Sequence, residues 1–256
     1  MIRRIVEKIY YGVRYFGMRV AGFEWLFVLG HMRSGSSLLV HLLNSNPEVL
    51  GYGETPIRYA GRRSLVELHD NIRSQFEAHG ERQGWEYRYI MDKILWPHIR
   101  SQRVLCRAPL SLIVIVRDPS AALPSILALD IEAIQTSEEA LSYYQERLKR
   151  LRDILVAYDS PFVCTTYSEL TKRTETTLQG ISEYLALDEK LTPTYDTIWA
   201  TGKSGIGDPS NQIESGEVRS DQKSYKVDVD PGIIQQAEET YRQFRSFCAS
   251  YGALND

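Results

Sequence analysis

The residues best suited to chemistry lie in the run Gly30-His31-Met32-Arg33-Ser34-Gly35-Ser36-Ser37. A short apolar stretch, Trp25 to Leu29, stops at Gly30, and a helical pattern of Leu38, Leu39, Leu42 and Leu43 begins just after Ser37, ending before Asn46-Pro47. Strand, glycine-rich loop and helix in that order aim consecutive main-chain N–H groups and a helix N-terminus at one point, which is how an anion is held. In the loop that binds ATP or GTP, a lysine follows the second glycine and reaches the β- and γ-phosphates. Here Ser36 takes that place, and the cation comes two residues before the glycine, as Arg33. A second anion site is legible at Arg117, which follows the apolar run Leu110 to Val116, with Ser125 eight positions further on. An arginine fork grips phosphate bidentately, and a serine on the next helix can donate to the same group. No apolar strand ends in an obvious aspartate for Mg²⁺. Two separated anion sites without a metal carboxylate suggest a donor carrying phosphates at both ends of its ribose.

The elements that must position these residues alternate. Val49 to Tyr52 reads as a second short strand, and Gly53-Glu54-Thr55 then faces the same rim as the loop. Residues 64–79 read as an amphipathic helix, 80–84 as a polar break, and Asp92-Lys93 falls in a stretch read as helical. Leu110 to Val116 is apolar and β-branched at nearly every position, as expected of a strand covered on both faces. Further helices are expected over residues 121–128, 138–158, 174–185 and 232–251, with a fourth strand over 162–166. Residues 201–231 form a loop too long to be idle. The alternation implies an α/β fold, a three-layer α/β/α arrangement around a central parallel sheet, with ligands at the carboxyl ends of the strands.

A chain of 256 residues, 43% hydrophobic and 25% charged, can bury a full core. A net charge of −3 argues against nucleic acid as a partner, so any anion must be held locally. Cys106, Cys164 and Cys248 are widely spaced and odd in number, which leaves neither a disulfide framework nor a metal site to draw. A reducing, cytoplasmic location fits them, with Cys106 and Cys164 as small core residues. No apolar run approaches the roughly 18 residues that cross a bilayer. Residues 1–24 stand apart from a single domain over 25–256: Ile2, Ile5, Val6, Ile9, Val13 and Phe16 recur at helical spacing among Arg3, Arg4, Lys8, Arg14 and Arg19. Such a helix either packs on the body with its charges solvated or lies on an anionic membrane surface through residues 1–19.

The stretch from Phe27 to Leu39, together with Ile115-Val116-Arg117-Asp118-Pro119 and Ser125, resembles the sulfotransferases that use 3′-phosphoadenosine 5′-phosphosulfate. Asn44-Ser45-Asn46-Pro47 and Gly51-Tyr52-Gly53-Glu54 are similar to the bacterial and carbohydrate-type branches of that family, whose fold is like that of P-loop nucleotide hydrolases. The likeness covers about Phe27 to Leu127, with a fainter echo at residues 165–170 and 205–209. It implies that Arg33, Ser34, Gly35, Ser36 and Ser37 hold the 5′-phosphosulfate, and that Arg117 with Ser125 holds the 3′-phosphate. It also implies that Glu54 is the catalytic base, that Arg33 stabilises developing charge, and that no metal takes part. Lys203, Gly205 and Arg219 lie in the late loop that in the family folds over the nucleotide. An Asp-Lys pair such as Asp92-Lys93 often lies near the donor in related sequences. His31 is open to a contact with donor or acceptor, or to a spacer role.

The acceptor is expected to be a hydroxyl on a small molecule, glycan or lipid. Tyr52, Tyr59, Trp85 and Trp96 offer themselves as pocket walls, although aromatic residues at such spacing more often build a core. Two other readings compete: a metal-dependent small-molecule kinase on the same fold, and a non-catalytic nucleotide-binding protein at a membrane surface.

Overall fold

A computed structural model describes residues 2–81, 86–95, 98–203, 213–220, 225 and 227–251. Five strands form one all-parallel sheet: β1 (Glu24–Gly30), β2 (Val49–Leu50), β3 (Tyr89–Ile94), β4 (Leu110–Val116) and β5 (Val163–Thr166), in the order β2-β3-β1-β4-β5. The central strands are apolar on both faces because both faces are covered. Trp25, Phe27 and Leu29 of β1 enter one core, and Leu26 and Val28 enter the other. The second core is closed by α2 (Ser36–Asn44), α7 (Tyr167–Lys172) and α8 (Thr174–Tyr184). The first is closed by α1 (Ile2–Val20), α3 (Arg62–Ala78), α4 (Arg103–Arg107), α5 (Pro119–Leu127), α6 (Ser137–Tyr158) and α9 (Pro231–Ser250). The arrangement is the expected three-layer α/β/α fold.

From β1 the chain moves outward to β2 and β3 on one side, and from β3 it crosses to β4 and β5 on the other. The loops after β1 and β4 therefore part company at adjacent strand ends, the crevice where ligands of such sheets bind. Local chemistry fixes where the helices start. Asp118 caps α5 by accepting from the Ser120 N–H, and Pro119 opens the helix where no N–H is needed. Thr136 and Glu139 form a capping box at α6, as do Thr166 and Glu169 at α7.

Three expectations change. Asp92 and Lys93 are not helical: they lie within β3, paired in register with Phe27 and Val28 of β1. Cys106 is exposed, while Cys164 and Cys248 are buried. The N-terminal helix does pack on the body, but through Tyr15 and Met18, with Tyr11 beside them. Its most apolar residues, among them Ile5, Val6, Ile9, Val13 and Phe16, face outward. Among the described residues no helix is long and apolar enough to cross a membrane.

Candidate functional site

The loop between β1 and α2 is shaped by its glycines. A Cβ on Gly30 would meet the Ile115 carbonyl oxygen at 2.8 Å and the Ser34 hydroxyl at 2.7 Å, so only glycine lets the loop close over the end of β4. Gly35 adopts φ 92 and lies under the Tyr167 ring. Arg33 adopts φ 62, a left-handed conformation uncommon for a side-chain-bearing residue and found where backbone N–H groups turn inward as a nest. α2 begins at Gly35 with no side chain capping it, which leaves its first N–H groups directed at the loop's centre. The Ser34 hydroxyl is fully buried and has no hydrogen-bond partner among the described residues. An orphaned hydroxyl beside uncapped N–H groups is a set of donors that suits a phosphate or sulfate oxygen.

Beneath the loop lies a brace that the sequence reading did not single out. Arg147 of α6 is buried and donates through Nε to the Gly30 carbonyl at 2.6 Å and through Nη2 to the Ile94 carbonyl at 2.6 Å, tying the ends of β1 and β3. Burial lowers its pKa to about 10, which still leaves it charged at neutral pH. The Tyr143 hydroxyl accepts from the Met32 N–H at 2.8 Å, and the Tyr144 hydroxyl donates to the Arg117 carbonyl at 2.7 Å. The available signal was Arg147 itself, a charge on the helix face that carries Tyr144, Leu148 and Leu151.

His31 is completely buried, with Nδ1 2.7 Å from the Met32 carbonyl and Nε2 3.0 Å from the Arg117 N–H. Those partners require the neutral tautomer that donates from Nδ1 and accepts at Nε2. Burial pushes its pKa down to about 4, and the charges of Arg147 and Arg117 add to the effect. With both nitrogens engaged, His31 ties the loop to β4.

Side chains expected at two separate anion sites meet: Ser125, expected to act with Arg117, is hydrogen-bonded to Arg33. Arg33 Nε donates to the Ser125 hydroxyl at 2.8 Å, and its Nη2 donates to the Tyr225 hydroxyl at 2.7 Å. Arg117 sits with its guanidinium 4.5 Å from the Tyr167 ring centroid and donates to the Arg33 carbonyl at 3.4 Å. Tyr225 is a further residue the sequence did not mark. Burial alone would raise its phenol, but hydrogen bonds with Ser125 and Arg33 and the charges of Arg33 and Arg117 hold it below the ordinary value.

A second cluster forms where β2 and β3 end. Lys93, nearly fully buried, extends Nζ to the Ser37 hydroxyl at 3.0 Å and to the Glu54 carboxylate at 3.2 Å. Glu54 keeps 23% of its side chain exposed, so it reaches both the buried ammonium and the surface. Asp92 points to the opposite face of the sheet. It accepts from the Thr55 N–H and hydroxyl, each at 2.9 Å, and from the Tyr59 hydroxyl at 2.5 Å. Burial pushes its carboxyl up to about 7 in spite of those bonds, and the charge of Glu54 adds to the rise.

Other expected participants lie elsewhere. Lys203 is exposed, with Nζ 4.9 Å from the Trp199 ring centroid. Arg219 is exposed and pairs with Glu217 at 3.6 Å. Tyr59 is core, and Tyr52 is buried with its hydroxyl on Asn71 at 2.7 Å. Gly205, Trp85 and Trp96 lie outside the described residues.

Compared with protein-family models and with curated proteins, the chain matches none.

Proposed function

We propose that the chain transfers a sulfuryl group from 3′-phosphoadenosine 5′-phosphosulfate to a hydroxyl of a small-molecule, glycan or lipid acceptor. The observation that carries this reading is the Lys93 ammonium, 3.0 Å from the Ser37 hydroxyl and 3.2 Å from the Glu54 carboxylate. In metal-dependent phosphate loops the serine or threonine at this point of the helix holds Mg²⁺. Here a fixed side-chain cation touches it, and a partly exposed carboxylate stands beside that cation.

The residues divide the work by position. Ser34, Gly35, Ser36 and Ser37 offer the loop's hydroxyls and N–H groups to the 5′ end of the donor, and Arg117 with Ser125 offers a fork and a hydroxyl to its 3′-phosphate. The donor itself supplies an activated sulfate whose departure leaves adenosine 3′,5′-bisphosphate. Arg33 and Lys93 place positive charge at the loop, where charge develops in transfer. Glu54 takes the proton of the acceptor hydroxyl.

The test is thermal stabilisation by adenosine 3′,5′-bisphosphate against ADP and ATP, with and without Mg²⁺. A ligand at 100 times its Kd adds about 2.7 kcal/mol. Stabilisation by the bisphosphate without metal, lost in Arg117→Ala, is expected. Stabilisation by ATP with Mg²⁺ alone would overturn the assignment in favour of a kinase.

A further inference from the structure

The outward face of α1 has no counterpart elsewhere on the described surface. Ile5, Val6, Ile9, Tyr10, Val13, Phe16 and Val20 are each more than half exposed, and Val13, Phe16 and Val20 reach 67%, 69% and 73%. At 3.6 residues per turn these positions share one side of the helix, opposite Tyr11, Tyr15 and Met18, which meet the body. The apolar ridge therefore points directly away from the protein. Scattered exposed apolar residues are ordinary, but a contiguous ridge rimmed by charge marks an interaction surface.

The rim is basic. The sequence of α1 holds Arg3, Arg4, Lys8, Arg14 and Arg19 against the single acid Glu7, in a chain whose net charge is −3, and of these Arg14 pairs with Asp70 at 2.6 Å. Glu7 is already paired with Arg63 at 3.4 Å. On the flank of α1 that carries Tyr11 and Tyr15, away from the ridge, a groove of about 670 Å³ runs between α1, the start of α3 and α4, and Glu7, Lys8, Arg62, Arg63 and Arg103 line it. Its floor is aromatic: Arg62 lies 5.1 Å from the Tyr15 ring centroid and Arg63 lies 4.8 Å from that of Tyr11. The guanidinium groups are thus held on the body side of α1 while the ridge projects from the other.

We propose that α1 docks the protein in the plane of an anionic bilayer, with the ridge of residues 5–20 entering the headgroup and acyl boundary and lipid phosphates meeting the exposed Lys8 and Arg19 at its edge. Charge selects this occupant. A second copy of the chain would set basic rims against basic rims, whereas lipid phosphate complements the rim and acyl chains complement the ridge. Bilayer docking is independent of the donor assignment and fails or holds without it.

The experiment is flotation of the full chain with phosphatidylcholine vesicles and with vesicles that also contain phosphatidylglycerol, at low and high salt. Gel filtration of the same protein runs in parallel. Binding to the anionic vesicles, weakened by salt, is expected. Phe16→Glu and the double variant Lys8→Glu with Arg19→Glu should each lower it about tenfold or more. Phe16 is exposed, so its substitution leaves the core alone, and an unchanged melting temperature verifies this. Equal binding to both vesicle types, no binding to either, or binding indifferent to both variants overturns the proposal. So does a dimer that Phe16→Glu dissociates in a protein that ignores vesicles, which would give the ridge to a second copy.

Discussion

Glu54 and Lys93 meet at the rim with opposite exposures, and this asymmetry decides what each can do. Lys93 is buried and held by two partners, so its ammonium is a fixed charge. Glu54 is partly open and can face an incoming hydroxyl. Glu54→Gln keeps the shape of the side chain and removes the proton acceptor. If the proposed transfer holds, turnover should therefore fall about 10²–10⁴-fold, the usual contribution of a general base, while the affinity for adenosine 3′,5′-bisphosphate stays unchanged. Parallel transfer assays and calorimetric titrations check this, and normal turnover in the Glu54→Gln variant would remove Glu54 from the base role. Lys93→Met separates two further functions. If the ammonium only satisfies its neighbours, stability drops and turnover of the folded fraction persists. If it works at the loop, turnover per folded molecule falls as well, and this second outcome is expected because Nζ reaches the Ser37 hydroxyl at the head of α2.

At the scale of elements, the strand ends are locked together by one helix. Arg147 connects α6 to the carbonyls that end β1 and β3. Arg147→Met fills the space but leaves two buried carbonyls without their charged donor, at about 1–3 kcal/mol for each unsatisfied group. A lower urea midpoint with an unchanged denaturant slope is expected, together with weaker bisphosphate binding, because the loop begins at Gly30. The strength of the sequence signal varied across these elements for physical reasons. β1 and β4 were readable because a strand buried on both faces is apolar throughout, and the loop because glycine and a following leucine pattern punctuate it. β3 was not, since Asp92 and Lys93 interrupt its apolar run and both are buried, a costly placement that only specific partners permit. The apolar pattern of α1 marked its helicity but left open whether it packs on the body or on a membrane surface, because periodicity reports a face and not what covers it. The rim residues Arg33, Arg117 and Ser125 were legible from spacing, whereas Tyr143, Arg147 and Tyr225 were not. Their contacts with Met32, Gly30 and Arg33 span 111, 117 and 192 positions, and such distances leave no local pattern.

For the whole molecule, two buried groups on the two sides of the site oppose each other as pH changes. His31 is depressed from 6.5 to about 4, so the stability it contributes is complete above about pH 6.5 and is lost as pH falls through 4. His69, lowered mainly by burial, acts in the same direction. Asp92 is raised from 3.8 to about 7, so its contribution is complete below about pH 3.8 and is lost as pH rises through 7. Between these limits each proton difference is worth about 1.4 kcal/mol per pH unit, with opposite sign for His31 and Asp92. Acidification from pH 7 to 5 therefore leaves a gain at Asp92 that nearly offsets the loss at His31, and His69 tips the wild-type protein toward a net loss over this range. Asp92→Asn removes the gain and can keep the bonds to Thr55 and Tyr59, since an amide both accepts and donates. The variant should consequently lose stability on acidification about 1 kcal/mol per pH unit faster than the wild type, read as urea midpoints at pH 7 and pH 5. Parallel curves for the two proteins would mean that the Asp92 carboxyl is ionised throughout, held by its three donors against the cost of its burial.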